Sequence, residues 1–407
     1  MKRKLYLITK TFPHEGGETA FLSPEFPYLS ENFDVTVVTT EQTADEKRMG
    51  SEISIIPQVH LLDKLSGLLR FLGNADAWRE FADIIRSGHD RLAQICRGLM
   101  FGTAAENFYR RLRKETDMCR ETDAIYYFYW ADYKCFGLTM HRSKYPHIHV
   151  VARTHGYELY DERELYGRQF FKPQMDRELD CLVFVSEYGK NYYLNRYHKK
   201  DGVKYPLHRL GIRKHTDKAP WIARDQEFVL VSCSNVVDIK RIDLIIDGLA
   251  LVEEPVRWIH IGDGTLRNSL QDKAREILGR KKNITYEWKG TMPNHAVMEF
   301  YRQQPVHCFI TTTSTEGGNP VSIQEALSYG IPVIGTKVSD IPFMVEGNGI
   351  LLSENPDPQE IAGAISRMCR MEEKAYNDWR EKAYQKFISA YDADKLHPEM
   401  VKELLEL

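Results

Sequence analysis

Short apolar runs of strand length recur along this chain in two successive series. Leu5 to Thr9, Val35 to Thr39, Ala124 to Tyr129, His149 to Ala152 and Cys181 to Val185 form the first. Phe228 to Ser232, Trp258 to Ile261, Ile284 to Trp288, Val306 to Thr311 and Pro332 to Gly335 form the second, with helix candidates Arg241 to Val252, Leu266 to Leu278 and Val297 to Gln303 between them. A strand is apolar on both sides when both faces of its sheet are covered, and strands that alternate with helices run parallel. The predicted fold class is therefore α/β, in two Rossmann-like halves with ligand in the crevice at the carboxyl ends of the strands. At 407 residues the chain exceeds what one core usually serves, which agrees with two domains. The polar segment Lys214 to Arg224, with Pro220, is the expected linker, and the tail from about Asp378 reads as helical.

Composition narrows the class. A net charge of -3 gives no global reason to expect nucleic acid. The seven cysteines are scattered without close-spaced pairs, which speaks against a disulfide framework or a zinc site and for a reducing cytoplasm. The start MKRKLYLITK holds too few apolar residues for the core of a signal peptide, and no run is long enough to span a bilayer.

The segment Phe309 to Leu352, FITTTSTEGGNPVSIQEALSYGIPVIGTKVSDIPFMVEGNGILL, carries the chemistry. A strand runs into Thr312 to Thr315, and Pro320 sits where a first helical residue tolerates a missing N–H, so a helix from about Val321 to Tyr329 follows. The amino end of that helix favours a phosphate, and Gly317 and Gly318, followed by Asn319, let a ligand approach the backbone. Glu316 and Glu325 frame this turn, and Glu325, one turn into the helix, is placed to take ribose hydroxyls.

These residues resemble the retaining glycosyltransferases of family 4, which share the GT-B fold of two Rossmann-like domains facing a central cleft. Glu316 and Glu325 match the family's Glu-x7-Glu signature, although eight residues lie between them here, through an insertion at Gly318-Asn319 or a differently directed first glutamate. GIPVIGTKVSDIPFMVEGNGILL is similar to the strand and loop that follow in the family. VVARTHGYELYDER, Val150 to Arg163, looks like its Arg-x-His-Gly-x-(Asp/Glu)-Leu motif; by that resemblance His155 contacts the transferred sugar, while Arg153 and Glu158 are weaker candidates or local pairs. VSCSNVVDIKRID, Val231 to Asp243, is similar to the phosphate-gripping loop: Lys240 matches its lysine and Asn235 stands where arginine is usual. Arg241 then supplies the missing guanidinium or faces solvent. In IHIGDGTLRNSL, Ile259 to Leu270, Gly262 and Gly264 either lie close to the nucleotide or make a plain tight turn, and Arg267 in place of a third glycine disfavours NAD. The loop Thr9 to Glu25 corresponds to the acceptor-side loop, with Gly16, Gly17 and Glu18 as its candidates.

Two segments admit two readings. The aromatics of Tyr126 to Tyr133 are core or a stacking surface for sugar. The leucines and arginines between Leu61 and Lys114 are an amphipathic helical layer or a peripheral membrane contact.

The resemblance implies a hexosyltransferase with a nucleotide-diphosphate sugar donor, a saccharide or lipid-linked acceptor, no metal and no cofactor. Its catalytic residues are His155, Glu316 and Lys240. The one Asp-x-Asp, Asp392 and Asp394, lies in the tail, away from the proposed site. The expected domains are 1–213 joined by a helix over 386–407, and 214–385. The expected setting is the cytoplasm, at the inner face of the membrane, in surface polysaccharide or glycoconjugate synthesis. A nucleotide-sugar epimerase on the same fold, or a non-catalytic saccharide- or nucleotide-binding protein, are the rival readings.

Overall fold

The computed structural model describes residues 2–13, 18–40, 52–56, 61–87, 90–214, 218 and 227–407. The chain forms two compact units, Met1–Arg209 with His397–Leu407, and Leu210–Leu396. Most of the Lys214 to Arg224 linker lies outside the described residues, as do Gly16 and Gly17.

In the first unit β1 (Lys4–Ile8), β2 (Asp34–Thr39), β3 (Glu52–Ile55), β4 (Ile125–Phe128), β5 (His149–Thr154) and β6 (Cys181–Phe184) make one sheet in the order β3-β2-β1-β4-β5-β6. All pairings are parallel. Leu5 and Leu7 pack with Val35, Val37 and Ile125 on one face, and Tyr6 and Ile8 with Phe128 and Ala152 on the other. That double burial is what the apolar runs require. Helix α1 (Thr19–Asn32) begins earlier than the Thr9 to Glu25 loop allowed and continues through Pro24 and Pro27.

Three further helices, α2 (Leu61–Leu72), α3 (Ala75–Ser87) and α4 (Arg91–Glu115), follow β3. They form the layered side of the two readings given for Leu61 to Lys114, because small residues let them close up. An added Cβ at Gly67 would meet the Asn107 amide at 2.5 Å, and one at Gly102 would meet the Phe71 ring at 2.1 Å.

The second unit repeats the plan. β7 (Phe228–Cys233), β8 (Val256–Ile261), β9 (Ile284–Gly290), β10 (Cys308–Thr311), β11 (Val333–Thr336) and β12 (Gly349–Leu352) lie in the order β12-β11-β10-β7-β8-β9, again all parallel. In both sheets the strand order reverses at the centre, between β1 and β4 and between β7 and β10, and loops leaving the carboxyl ends of such strands form the ligand crevice of open α/β sheets.

The tail is two helices, Glu373–Ala390 and Ala393–Leu405. Met400, Val401 and Leu404 of the last helix pack into the Leu5 and Leu7 cluster, and Arg3 Nη1 donates to the Leu404 carbonyl at 3.3 Å. The chain changes unit at His397, within this helix. No helix among the described residues is long and apolar enough to cross a membrane.

Candidate functional site

The loops that leave β7 and β10 are tied to each other by backbone and side chain. Ser314 N donates to the Ile239 carbonyl at 2.8 Å, and Thr312 Oγ1 to that of Arg241 at 2.9 Å. Arg241 itself adopts a left-handed backbone with φ 47°. Its guanidinium donates to the carbonyls of Thr312 at 2.6 Å, Thr313 at 2.9 Å and Glu354 at 2.8 Å, and to Asn355 Oδ1 at 3.0 Å. Neither sequence reading of Arg241 is met: its donors staple three loops, so it shapes the site without lending a free cation.

That staple sets Lys240 against Glu316 in an ion pair whose side chains are 19% and 14% exposed. The two residues are far apart in sequence, and the paired loops bring them together at the reversal of strand order. Glu325 lies on the helix Val321–Ser328 and is buried. Asn294, at the start of the helix Asn294–Gln303, donates to Glu325 Oε1 at 2.5 Å. Burial pushes the Glu325 carboxyl up to about 7, against the smaller downward pull of that amide. The Cys233 thiol at the end of β7 lies within electrostatic reach of both groups: burial, then the Glu325 charge, push it up to about 12, with Lys240 acting the other way.

The remaining donor-side candidates have structural duties. Asn319 is buried and its Oδ1 accepts from Tyr391 Oη at 3.1 Å, while the Gly318 carbonyl accepts from Ser339 Oγ at 3.2 Å. Gly317 is half-buried in the same turn, and Asn235 is exposed on the β7 loop. A Cβ at Gly262 would sit 1.9 Å from the Ser234 carbonyl oxygen, and one at Gly264 2.4 Å from that of Val236. These two glycines let the loop after β8 pack beneath the loop after β7. Pro320 precedes the helix as its cap residue, and Val321 is the first helical residue. Asp392 is also structural, its Oδ1 accepting from Asp394 N at 3.2 Å at the start of the last helix.

In the first unit His155 follows the last residue of β5 and is buried. Its backbone N–H donates to Glu158 Oε1 at 2.7 Å, its Nδ1 lies 3.3 Å from the same oxygen, and its ring packs against Trp130, tilted by 41° with centroids 4.1 Å apart. Among the described residues, the buried His155 Nε2 and Glu158 Oε2 have no hydrogen-bond partner, which leaves one nitrogen and one oxygen for a ligand to satisfy. Arg153 does not join them: it pairs with Glu25 at 2.5 Å, both side chains fully buried.

Glu18 turns away from the role expected of it. Its carboxylate accepts from the amides of Lys10 at 2.8 Å, Thr11 at 2.5 Å and Phe12 at 2.8 Å, and from the Trp130 indole. Burial raises its pKa, but the Thr11 and Phe12 amides and the indole outweigh that and hold it below the ordinary carboxylate value. It locks the loop after β1 and cannot also reach a ligand. Of the Tyr126 to Tyr133 aromatics, Tyr126, Tyr127, Phe128 and Tyr129 are core, and Tyr129 and Trp130 both pack against the His155 ring. Lys172 went unnoticed in the sequence; it is buried, donates to the Ala131 carbonyl at 2.6 Å, and burial holds its pKa below the usual lysine value.

Residues 213–386 match the family model described as Glycosyl transferases group 1. This stretch, the greater part of the second unit, is thus similar to the group 1 glycosyl transferases. It contains Lys240, Glu316, Glu325 and Asn294, and its fold with that of the first unit is GT-B. The chain is 34% identical over 110 residues to a Salmonella typhimurium protein named as a colanic acid biosynthesis glycosyltransferase, WcaL, covering 25% of this chain and 27% of that one. It is 23% identical over 233 residues to the GtfA subunit of a UDP-N-acetylglucosamine–peptide N-acetylglucosaminyltransferase of Streptococcus agalactiae, covering 54% and 44%. The matches thus span about a quarter and under half of those relatives. Among solved structures, the fold is shared with the lipopolysaccharide outer core galactosyltransferase WaaB at TM-score 0.68 and 17% identity, over 99% of both chains. It is also shared with Anabaena HepE in complex with UDP, at TM-score 0.68 and 14% identity over all of both chains.

Proposed function

We propose that this protein is a glycosyltransferase that moves a sugar from a nucleotide-diphosphate sugar to a hydroxyl of a saccharide or lipid-linked acceptor. The observation that carries the reading is the Lys240–Glu316 pair between the loops that leave β7 and β10, where the strand order reverses, with the buried Glu325 on the helix that follows β10. Lys240 and the amide groups at the start of the helix Val321–Ser328 hold the diphosphate as its negative charge grows in the transition state. Glu325, ionised, accepts the ribose hydroxyls, and Glu316 keeps the Lys240 ammonium in place until the donor arrives. His155, with its open Nε2, contacts the transferred sugar. The bond from the anomeric carbon to the phosphate oxygen breaks as the acceptor oxygen bonds to that carbon with retention, the acceptor's hydroxyl proton passing to the departing phosphate oxygen, through an oxocarbenium-like state and without a protein nucleophile or a metal. UDP bound in the HepE structure supports a nucleoside-diphosphate donor, uridine first. The colanic acid and outer-core names of two similar proteins support a place in surface polysaccharide synthesis.

Calorimetric titration with UDP, GDP and ADP, without metal and then with magnesium, tests this. Metal-free binding of one of them, weakened in Lys240→Ala, is the expected result, followed by donor hydrolysis that Lys240→Ala and Glu325→Ala abolish. Absence of binding by all three defeats the proposal.

A further inference from the structure

Ser232 on β7 stands opposite His260 on β8, and both are buried. The Trp258 indole donates to Ser232 Oγ at 2.9 Å, and Ser232 Oγ lies 2.9 Å from His260 Nδ1. An indole N–H can only donate, so Ser232 accepts from it and turns its own proton to Nδ1. The neutral imidazole therefore carries its proton on Nε2. Burial keeps the ring neutral by pushing its pKa down to about 4, while the Ser234 backbone acts the other way. Nε2 makes no hydrogen bond of ordinary geometry among the described residues, yet the Ser234 carbonyl lies beside it. A Cβ placed on Gly262 would stand 1.9 Å from that oxygen and 3.3 Å from Nε2.

The Ser234 carbonyl is thus turned inward, toward Gly262 and His260. In a trans peptide the N–H points opposite to the carbonyl, so the Asn235 amide is turned outward. The amides around it are occupied: Ser234 N donates to the Ile261 carbonyl at 3.0 Å, Val236 N to that of Asp263 at 2.9 Å, and Val237 N to that of Asn235 at 3.1 Å. Asn235 N makes no hydrogen bond among the described residues, and the residue is exposed. The same loop carries Lys240. A fixed, outward amide on a loop that also supplies an ammonium suits a phosphate oxygen.

We infer that His260 is a positioning residue for the donor: through the Ser234 carbonyl it holds the Asn235 amide toward the diphosphate, a contact that asks nothing of the Asn235 side chain. The inference rests on the transferase reading, because it needs a nucleotide donor at this site.

The test sets calorimetry of the full chain beside the Asn235 amide signal in protein labelled with 15N-asparagine, the signal being identified by its absence from Asn235→Ser. The probes are the nucleoside diphosphate that binds best, UDP first, and its nucleoside. The diphosphate should move the Asn235 signal downfield and the nucleoside should not, a readout that needs no His260 variant. His260→Leu fills the space without an N–H; it should weaken the diphosphate about tenfold, leave the nucleoside unchanged and abolish the shift. His260→Gln restores an N–H and should recover most of both, each variant being checked for folding by circular dichroism and melting temperature. Diphosphate binding by the native protein without the Asn235 shift, or a folded His260→Leu that binds as tightly as the native protein, overturns the inference and leaves the transferase reading standing. Equal losses of diphosphate and nucleoside in His260→Leu also overturn it, because a general loosening of the site would then be the cause. No binding of UDP, GDP or ADP by the native protein overturns the transferase reading itself, and this inference with it.

Discussion

Asn294 donates its side-chain amide to Glu325 Oε1 at 2.5 Å, joining the start of the helix Asn294–Gln303 to the middle of the helix Val321–Ser328. Glu325 is buried, and burial raises its pKa from 4.5 to about 7. Between those values the folded protein holds a proton that the unfolded chain has released. Stability therefore falls as pH rises through that window, by an amount on the order of 3 kcal/mol if Glu325 acts alone. Urea unfolding at about pH 5 and about pH 8 should show this fall in the native protein and a smaller one in Glu325→Gln.

The same titration carries a sign for binding. Ribose hydroxyls that donate to Glu325 favour its ionised form, so affinity for the best nucleoside diphosphate should rise from about pH 6 to about pH 8. In Glu325→Gln the affinity should be lower and its rise largely lost. Asn294→Ala, by removing a donor to the carboxylate, should move the midpoint upward, and calorimetry across pH reads all three.

How much of this the sequence discloses depends on how far each partner lies along the chain. Strands buried on both faces leave continuous apolar runs, and these disclose ten of the strands; β3 and β12 are short edge strands, β3 half-exposed along Ile53–Ile55 and β12 only the four residues Gly349–Leu352, so neither stands out in the same way. Lys240, Glu316 and Glu325 were legible because each sits in a motif of its own. Asn294 was not, because the expected helix began at Val297 and its contact with Glu325 is made only in three dimensions. Arg241 looks like a ligand cation in sequence since its acceptors are mostly backbone carbonyls, which no side-chain pattern betrays. Glu18 misled in the opposite way: a loop acid beside glycines is as well suited to hold its own loop's amides as to reach a ligand.

Lys240 and Glu316 depend on each other. Truncation in Lys240→Ala leaves a carboxylate only 14% exposed without its ammonium, and should cost about 1–3 kcal/mol of stability as well as nucleotide affinity. Glu316→Gln removes the acid but leaves Lys240 for the diphosphate, so its affinity for nucleoside diphosphate should be kept or strengthened while turnover falls. A double-mutant cycle by urea unfolding gives the coupling, and a coupling near zero would mean that the pair does not hold the site together.

The Glu18 clamp predicts a loss of stability unrelated to catalysis. Glu18→Gln keeps one acceptor oxygen against three amides and an indole, and should destabilise the fold by roughly 2–3 kcal/mol. Because the indole belongs to Trp130, which packs against the His155 ring, near-ultraviolet circular dichroism should change with it.

Glycine substitutions separate packing from flexibility. Gly262 has φ 139°, and a Cβ there would stand 1.9 Å from the Ser234 carbonyl oxygen, a backbone atom that cannot swing aside. Gly262→Ala must push the loop after β8 off the loop after β7, so it should cost about 2 kcal/mol or more and weaken nucleotide binding. Gly363 is exposed inside the helix Pro358–Arg370 with nothing within 4 Å of an added Cβ. There alanine only removes freedom from the unfolded chain, and Gly363→Ala should stabilise by about 1 kcal/mol with binding unchanged. Thermal unfolding of the two variants side by side reads the difference, which comes from the neighbouring atoms because the residue exchanged is the same.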